Sequence, residues 1–288
     1  MNWIDLSLLI LLAAIWGSSF LFMHIVAPAL GPVLTAGFRL GIGGLALYLY
    51  AMVKKEPIKI KEFYKPLLII GIFNSAIPFS FYSYAALNIP SSYSVILNST
   101  SPLFGSIFAA IFLNEKITIK KVIGIILGSV GVTLIALNGN ENVILEHKTV
   151  LSILACLGAA SLYAIMGIFI KKNTSNISSL NLACVSQIFA FMVLAPIGLI
   201  HADFHLVTTN VLIALFTLAL MCSALAYVLY FHLMKSVGPS KALTVTFLMP
   251  IFGMLWGKIF LSESISLTML IGTFLIIMGT LFVVGVKK

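Results

Sequence analysis

The chain has 288 residues, of which 61% are hydrophobic and only 9% charged, against about 25% charged in an ordinary soluble domain. That balance excludes a soluble globular protein and a disordered one. A spanning helix takes roughly 20 residues, and ten of them leave no room for an extramembrane domain, so the net charge of +9 is not the basic face of a nucleic-acid reader.

Long apolar runs occur at 4–23, 32–53, 66–87, 91–113, 119–137, 150–170, 179–200, 209–233, 239–261 and 267–286. Each meets the length criterion for a membrane helix, which predicts an all-α integral membrane protein with ten spans. The breaks carry stop signals: Gly31-Pro32, Asn88-Ile89-Pro90, Asn138-Gly139-Asn140 and Gly238-Pro239. The alternation of a β-barrel is absent. The first run lacks the basic start and small-residue cleavage site of a signal peptide, and reads as a retained helix.

Lysines set the expected orientation. Lys54, Lys55, Lys59, Lys61 and Lys65 lie between spans two and three, and Lys116, Lys120 and Lys121 between four and five. Lys171, Lys172, Lys235, Lys241, Lys287 and Lys288 fall on the same side if there are ten spans. Lys148 and Lys258 are the exceptions. The asymmetry places both termini in the cytoplasm, in a cell inner (cytoplasmic) membrane.

The chain also repeats itself 148 residues on. Pro102-Leu103-Phe104-Gly105 recurs as Pro250-Ile251-Phe252-Gly253, and Ile111-Phe112-Leu113-Asn114-Glu115 as Ile259-Phe260-Leu261-Ser262-Glu263. Gly124 matches Gly272, Gly131 matches Gly279, Tyr82 matches Tyr230 and Ser92 matches Ser240. The halves are expected at 1–140 and 149–288, five helices each. An odd number makes the second insert upside down, and inverted repeats are a construction plan of secondary transporters.

With these features the chain resembles the EamA branch of the drug/metabolite transporter superfamily. The matching residues are Ala-Ala-Ile-Trp-Gly-Ser-Ser-Phe at 13–20, Phe38-Arg39-Leu40, and the two segments Pro102 to Glu115 and Pro250 to Glu263. The resemblance implies a ten-helix inverted-repeat carrier of small metabolites, often an exporter.

Polar groups inside the spans supply the candidate site. Arg39 lies about 10 Å into span two at 1.5 Å per residue. It is either a cavity cation for a substrate carboxylate or phosphate, or an arginine that snorkels or ties down neighbouring carbonyls. Ser94, Asn98, Ser101 and Gly105 share one face of span four. Asn74 and Tyr82 share a face of span three, and Trp16, Tyr163, Gln187, Tyr227 and Thr246 add aromatic and hydrogen-bonding groups. The expected substrate-binding set is Trp16, Arg39, Asn74, Tyr82, Asn98, Tyr163, Tyr227 and Thr246. Pro102 and Pro250 are expected hinges, each freeing the carbonyl four residues earlier, that of Asn98 or Thr246. The repeated Glu115 and Glu263 suggest a shared structural task, such as receiving the amides of the next helix's first turn.

No carboxylate sits deep in a span, which argues for a facilitator or exchanger and against an aspartyl-dyad enzyme. No His-Glu-x-x-His occurs, and the His201–His205 spacing is a weak metal signal, so neither metal nor cofactor is expected. Cys156, Cys184 and Cys222 give no disulfide frame. Glycine faces at Gly37/Gly41/Gly44 and Gly124/Gly128/Gly131 predict close helix packing within a monomer, with a weak homodimer as the alternative. A small-molecule carrier in a lipid bilayer is the leading reading, with an amino acid or related metabolite as substrate. A non-transporting membrane scaffold or regulator is the alternative.

Overall fold

A computed structural model describes residues 2–284 except 59, 138–146, 175, 201 and 203. The expected break at Asn138-Gly139-Asn140, His201 and the terminal lysines lie outside the described residues. Every regular element among those described is helical. In chain order these are α1 (Trp3–Val53), α2 (Ile60–Ile70), a π-helical turn (Gly71–Ala76), α3 (Ile77–Ala85), α4 (Ser91–Asn98), α5 (Ser101–Leu113) and α6 (Ile119–Leu137). Then follow α7 (His147–Asn173), α8 (Ser179–Leu199), α9 (Thr209–Ala219), a second π-helical turn (Leu220–Leu225), α10 (Ala226–Val237), α11 (Pro239–Ala242), α12 (Val245–Leu261) and α13 (Leu267–Val284).

Eight helical stretches are long and apolar enough to cross a membrane, with α12, at 17 residues, a shorter apolar helix. That differs from the expected ten for two physical reasons. The first two expected spans form one helical run of 51 residues, about 77 Å if straight, against a hydrocarbon core of about 30 Å. Its helical geometry is broken at Gly31, with φ 74 and ψ 162. That region excludes a Cβ, and Pro32 disfavours a helical residue before it. The ninth expected span is divided into α11 and α12, with Leu243 and Thr244 between them. Gly238, before Pro239, adopts nearly the same backbone as Gly31, φ 86 and ψ 157.

The expected fourth span is divided too. The helix lapses at Ser99 and Thr100, so Pro102 stands in the first turn of α5 rather than in a helix interior. The Asn98 carbonyl accepts the Ser101 hydroxyl at 2.8 Å. Pro250 does lie inside α12. The two prolines are matched in sequence but not in helical position.

The two π-helical turns were not foreseen. Each accommodates a residue beyond the α-helical count, and such bulges are frequent at functional sites. They begin at Gly71 and Leu220, one residue off the repeat spacing.

Glycines bring the helices together. A Cβ on Gly124 would lie 2.5 Å from the Gly279 carbonyl, and one on Gly131 would lie 2.6 Å from that of Gly272. Rising numbers in α6 thus meet falling numbers in α13, so the two run antiparallel. Because 124 corresponds to 272 and 131 to 279, each contact has its twin, the signature of a two-fold axis between like elements. Gly37 against Leu194 and Gly41 against Phe191 pack α1 on α8 in the same antiparallel sense. These glycine faces are therefore occupied within the chain. Ile126, Val130, Ile213 and Phe274 point outward and are exposed, as a lipid-facing surface requires.

Candidate substrate site

Arg39 is 3% exposed. The glycines that follow it in α1 draw this helix onto α8, so the arginine is enclosed by helices rather than free to snorkel. Its Nε donates to Ser223 Oγ at 2.8 Å, and Nη1 to the Met23 sulfur at 3.6 Å. The guanidinium lies over the Phe79 ring, 3.9 Å from its centroid. Tyr163, Tyr227 and Cys222 are close enough to interact with it electrostatically. Among the described residues Arg39 forms no ion pair, so no carboxylate neutralises it. A guanidinium does not lose its proton, and a buried charge is costly without a partner. A hydroxyl, a thioether and a ring face offset part of that cost.

An aromatic network continues from it. Tyr163 stacks on Tyr82 with centroids 6.2 Å apart, and the Tyr82 hydroxyl donates to Asn98 Oδ1 at 2.9 Å. On the other side Trp16 meets Tyr227 edge-on at 6.1 Å and Tyr230 at 5.2 Å. Six of the eight expected residues therefore join one network: Trp16, Tyr227, Arg39, Tyr163, Tyr82 and Asn98. Asn74 and Thr246 do not join it. Asn74 sits half-buried in the first π-helical turn. The Thr246 hydroxyl donates to the Leu243 carbonyl at 2.9 Å, at the break before α12.

Sequence reasoning missed Phe79, Met23 and Ser223. The signal for two of them was present in the repeat. Residues 39, 75 and 79 correspond 148 positions on to Gln187, Ser223 and Tyr227. Gln187 is buried, and its Oε1 has no hydrogen-bond partner, while its Nε2 donates to the Ser223 carbonyl at 3.4 Å. The arginine of one half is thus bonded to the π-helical turn of the other. A separate cavity of about 250 Å³, bordered by Leu103, Phe104, Ile125 and Leu157, is apolar and holds none of the expected site residues.

Repeated helices that interlock through glycine, with a polar network where they meet, define a multi-pass membrane protein of transporter type. The model of the EamA-like transporter family matches residues 3–137 and again residues 150–285, and the chain belongs to that family. It is a membrane transporter built of two EamA repeats. It is 26% identical to the uncharacterized transporter YvbV of Bacillus subtilis, over 94% of this chain and 88% of that one. Similarity to Protein PagO of Salmonella typhimurium is 23% identity over 87% and 83% of the two chains. One solved crystal structure superposes with a TM-score of 0.69 at 16% identity, covering 96% of this chain and 94% of that one, a likeness of fold.

Proposed function

We propose that the protein is a ten-span carrier, built of two inverted five-helix halves near 1–140 and 149–288. It moves a small metabolite bearing a carboxylate, such as an amino acid, across the cytoplasmic membrane by alternating access. The observation that carries the substrate reading is Arg39: a buried cation with no carboxylate partner, held among aromatic rings where the halves meet. A substrate carboxylate would complete its charge and accept its remaining donors. The rings of Trp16, Tyr82, Tyr163 and Tyr227, with Asn98, would form the amphipathic wall that small-ligand sites favour. Asn74 and Thr246 stand at the edges of this set.

The paired Gly124–Gly279 and Gly131–Gly272 contacts support the inversion. The ten-span count is supported by the turn at Gly31 and by bonds between helix ends. Asp5 accepts from Ser236 at 2.7 Å, Asn181 donates to the Pro57 carbonyl at 2.9 Å, and Lys172 to that of Phe112 at 3.4 Å. All of these would lie at the lysine-rich, cytoplasmic end. Asn88 donates to Ser152 at 3.1 Å at the other end.

The test is thermal stabilisation of purified protein by a metabolite library, since a ligand of the native state raises apparent stability, followed by counterflow in liposomes. Carboxylate-bearing hits are expected. Arg39→Gln should weaken their binding about tenfold or more, as loss of a bond to a charged group does. Hits bound equally well by Arg39→Gln would overturn the site, and hits that show no counterflow would favour the scaffold reading.

A further inference from the structure

The two-fold relation seen between α6 and α13 is broken between α4 and α12. Glu263, just beyond α12, accepts the amides of Ser91 and Ser92 at 2.6 and 3.1 Å, and the Ser92 hydroxyl as well. Below it, a Cβ on Gly253 would lie 2.3 Å from Val95 Cγ1. By the repeat, the twin of Glu263–Ser92 joins Glu115 to Ser240, and the twin of Gly253–Val95 joins Gly105 to Leu243. The Gly105–Leu243 twin is not made. Glu115 pairs with Lys121 at 3.0 Å with its side chain 51% exposed. Nothing lies within 4 Å of a Cβ on Gly105. Val95 is 0% exposed and Leu243 51%.

The helix ends are built alike, although Lys121, which pairs with Glu115, corresponds to Met269, and Ser91, whose amide Glu263 accepts, corresponds to Pro239. Asn114 and Ser262 end their helices in the same left-handed conformation, φ 53 and φ 55. Glu115 and Glu263 then donate their own amides to the equivalent carbonyls of Ala109 and Gly257, at 3.3 and 3.1 Å. Both carboxylates leave their helices alike, yet Glu263 binds the start of α4 while Glu115 pairs with Lys121 of its own half. At α6 and α13 the same symmetry is satisfied, whereas α4, α5 and α12 depart from it.

We infer that Glu263 and Glu115 are a pair of alternating gate latches, one at each end of the molecule, and that this structure holds the Glu263 latch closed and the Glu115 latch open. The inference rests on the carrier reading, whose orientation makes this the state open to the cytoplasm. In the opposite state Glu263 releases α4, and Glu115 leaves Lys121 for Ser240 as Gly105 closes on Leu243. Rocking these helices as rigid rods about the central site closes one end as it opens the other, so the two latches alternate.

A cysteine cross-link reads this directly. In a background with Cys156, Cys184 and Cys222 replaced by alanine, the pair Gly105→Cys and Leu243→Cys is oxidised with copper phenanthroline in membranes, without any substrate. The pair is apart in this structure and meets only in the opposite state. Glu263→Gln should speed its cross-linking about tenfold, the effect expected for losing hydrogen bonds to a charge. Glu115→Gln should slow it by a similar factor. Expression and monodispersity of each variant are measured alongside. Equal rates in all three backgrounds, or acceleration by Glu115→Gln, would overturn the latch while leaving a mobile carrier. A pair that never cross-links in any well-folded background would overturn the carrier reading together with it.

Discussion

Tyr82 and Asn98 share one hydrogen bond across 16 residues of chain, deep in the bundle. The tyrosine is 1% exposed and its ring meets Phe20 edge-on at 5.2 Å. Removing the hydroxyl alone strands the amide, and removing the amide alone strands the hydroxyl, so each single change should cost about 1–3 kcal/mol. Because both break the same bond, Tyr82→Phe combined with Asn98→Ala should cost less than the sum of the two. Reversible unfolding in mixed micelles would measure the cycle, and additive losses would show that the bond carries no energy. The residues of this network are not equally legible in sequence. Tyr82 and Asn98 stand out because polar groups are rare in apolar spans. Phe79 is marked only by its repeat counterpart Tyr227, and Met23 not at all, since a methionine in a membrane helix is ordinarily lipid-facing or packing material and only its contact with the arginine gives it a polar task.

Among the elements, α6 and α13 form the interface least tolerant of added volume. Gly124→Ala would set a methyl 2.5 Å from the Gly279 carbonyl and should destabilise the fold by about 1–3 kcal/mol, as overpacking does. Gly105→Ala meets open space here, and should be neutral or stabilising by about 0.5–1 kcal/mol through the helix backbone. Its cost should fall on turnover, because in the opposite state Gly105 must close on Leu243. Thermal unfolding in detergent and counterflow rates separate the two effects. A Gly105→Ala protein as unstable as Gly124→Ala would contradict the open face. Helix punctuation was readable where it is local: Gly31-Pro32 and Gly238-Pro239 break the chain where a positive φ needs glycine. The π-helical turns and the breaks at Ser99–Thr100 and Leu243–Thr244 were not readable. They carry no dedicated residue, and which turn widens depends on the neighbouring helix, such as Ser186 pressing its carbonyl to within 2.7 Å of a Gly71 Cβ.

For the whole molecule the lysine distribution predicts sidedness. In the cysteine-free background a single cysteine at position 60 should resist an impermeant thiol reagent in intact cells, and one at position 148 should react. The reverse pattern would invert the proposed topology and make the closed Glu263 latch the cytoplasmic one. The membrane-protein class, the helical architecture and the doubled design were determined by the sequence itself. Hydrophobic length is set by the bilayer, and a repeat of fixed spacing is written in residue identities. The tertiary structure alone decided which polar residues converge, that Arg39 has no carboxylate beside it, and which of two sequence-equivalent glutamates is engaged. Those outcomes rest on contacts between distant helices. Glu115 and Glu263 end matched helices, but Lys121 near the first corresponds to Met269 near the second, and which partner each carboxylate reaches depends on packing between helices far apart in the chain.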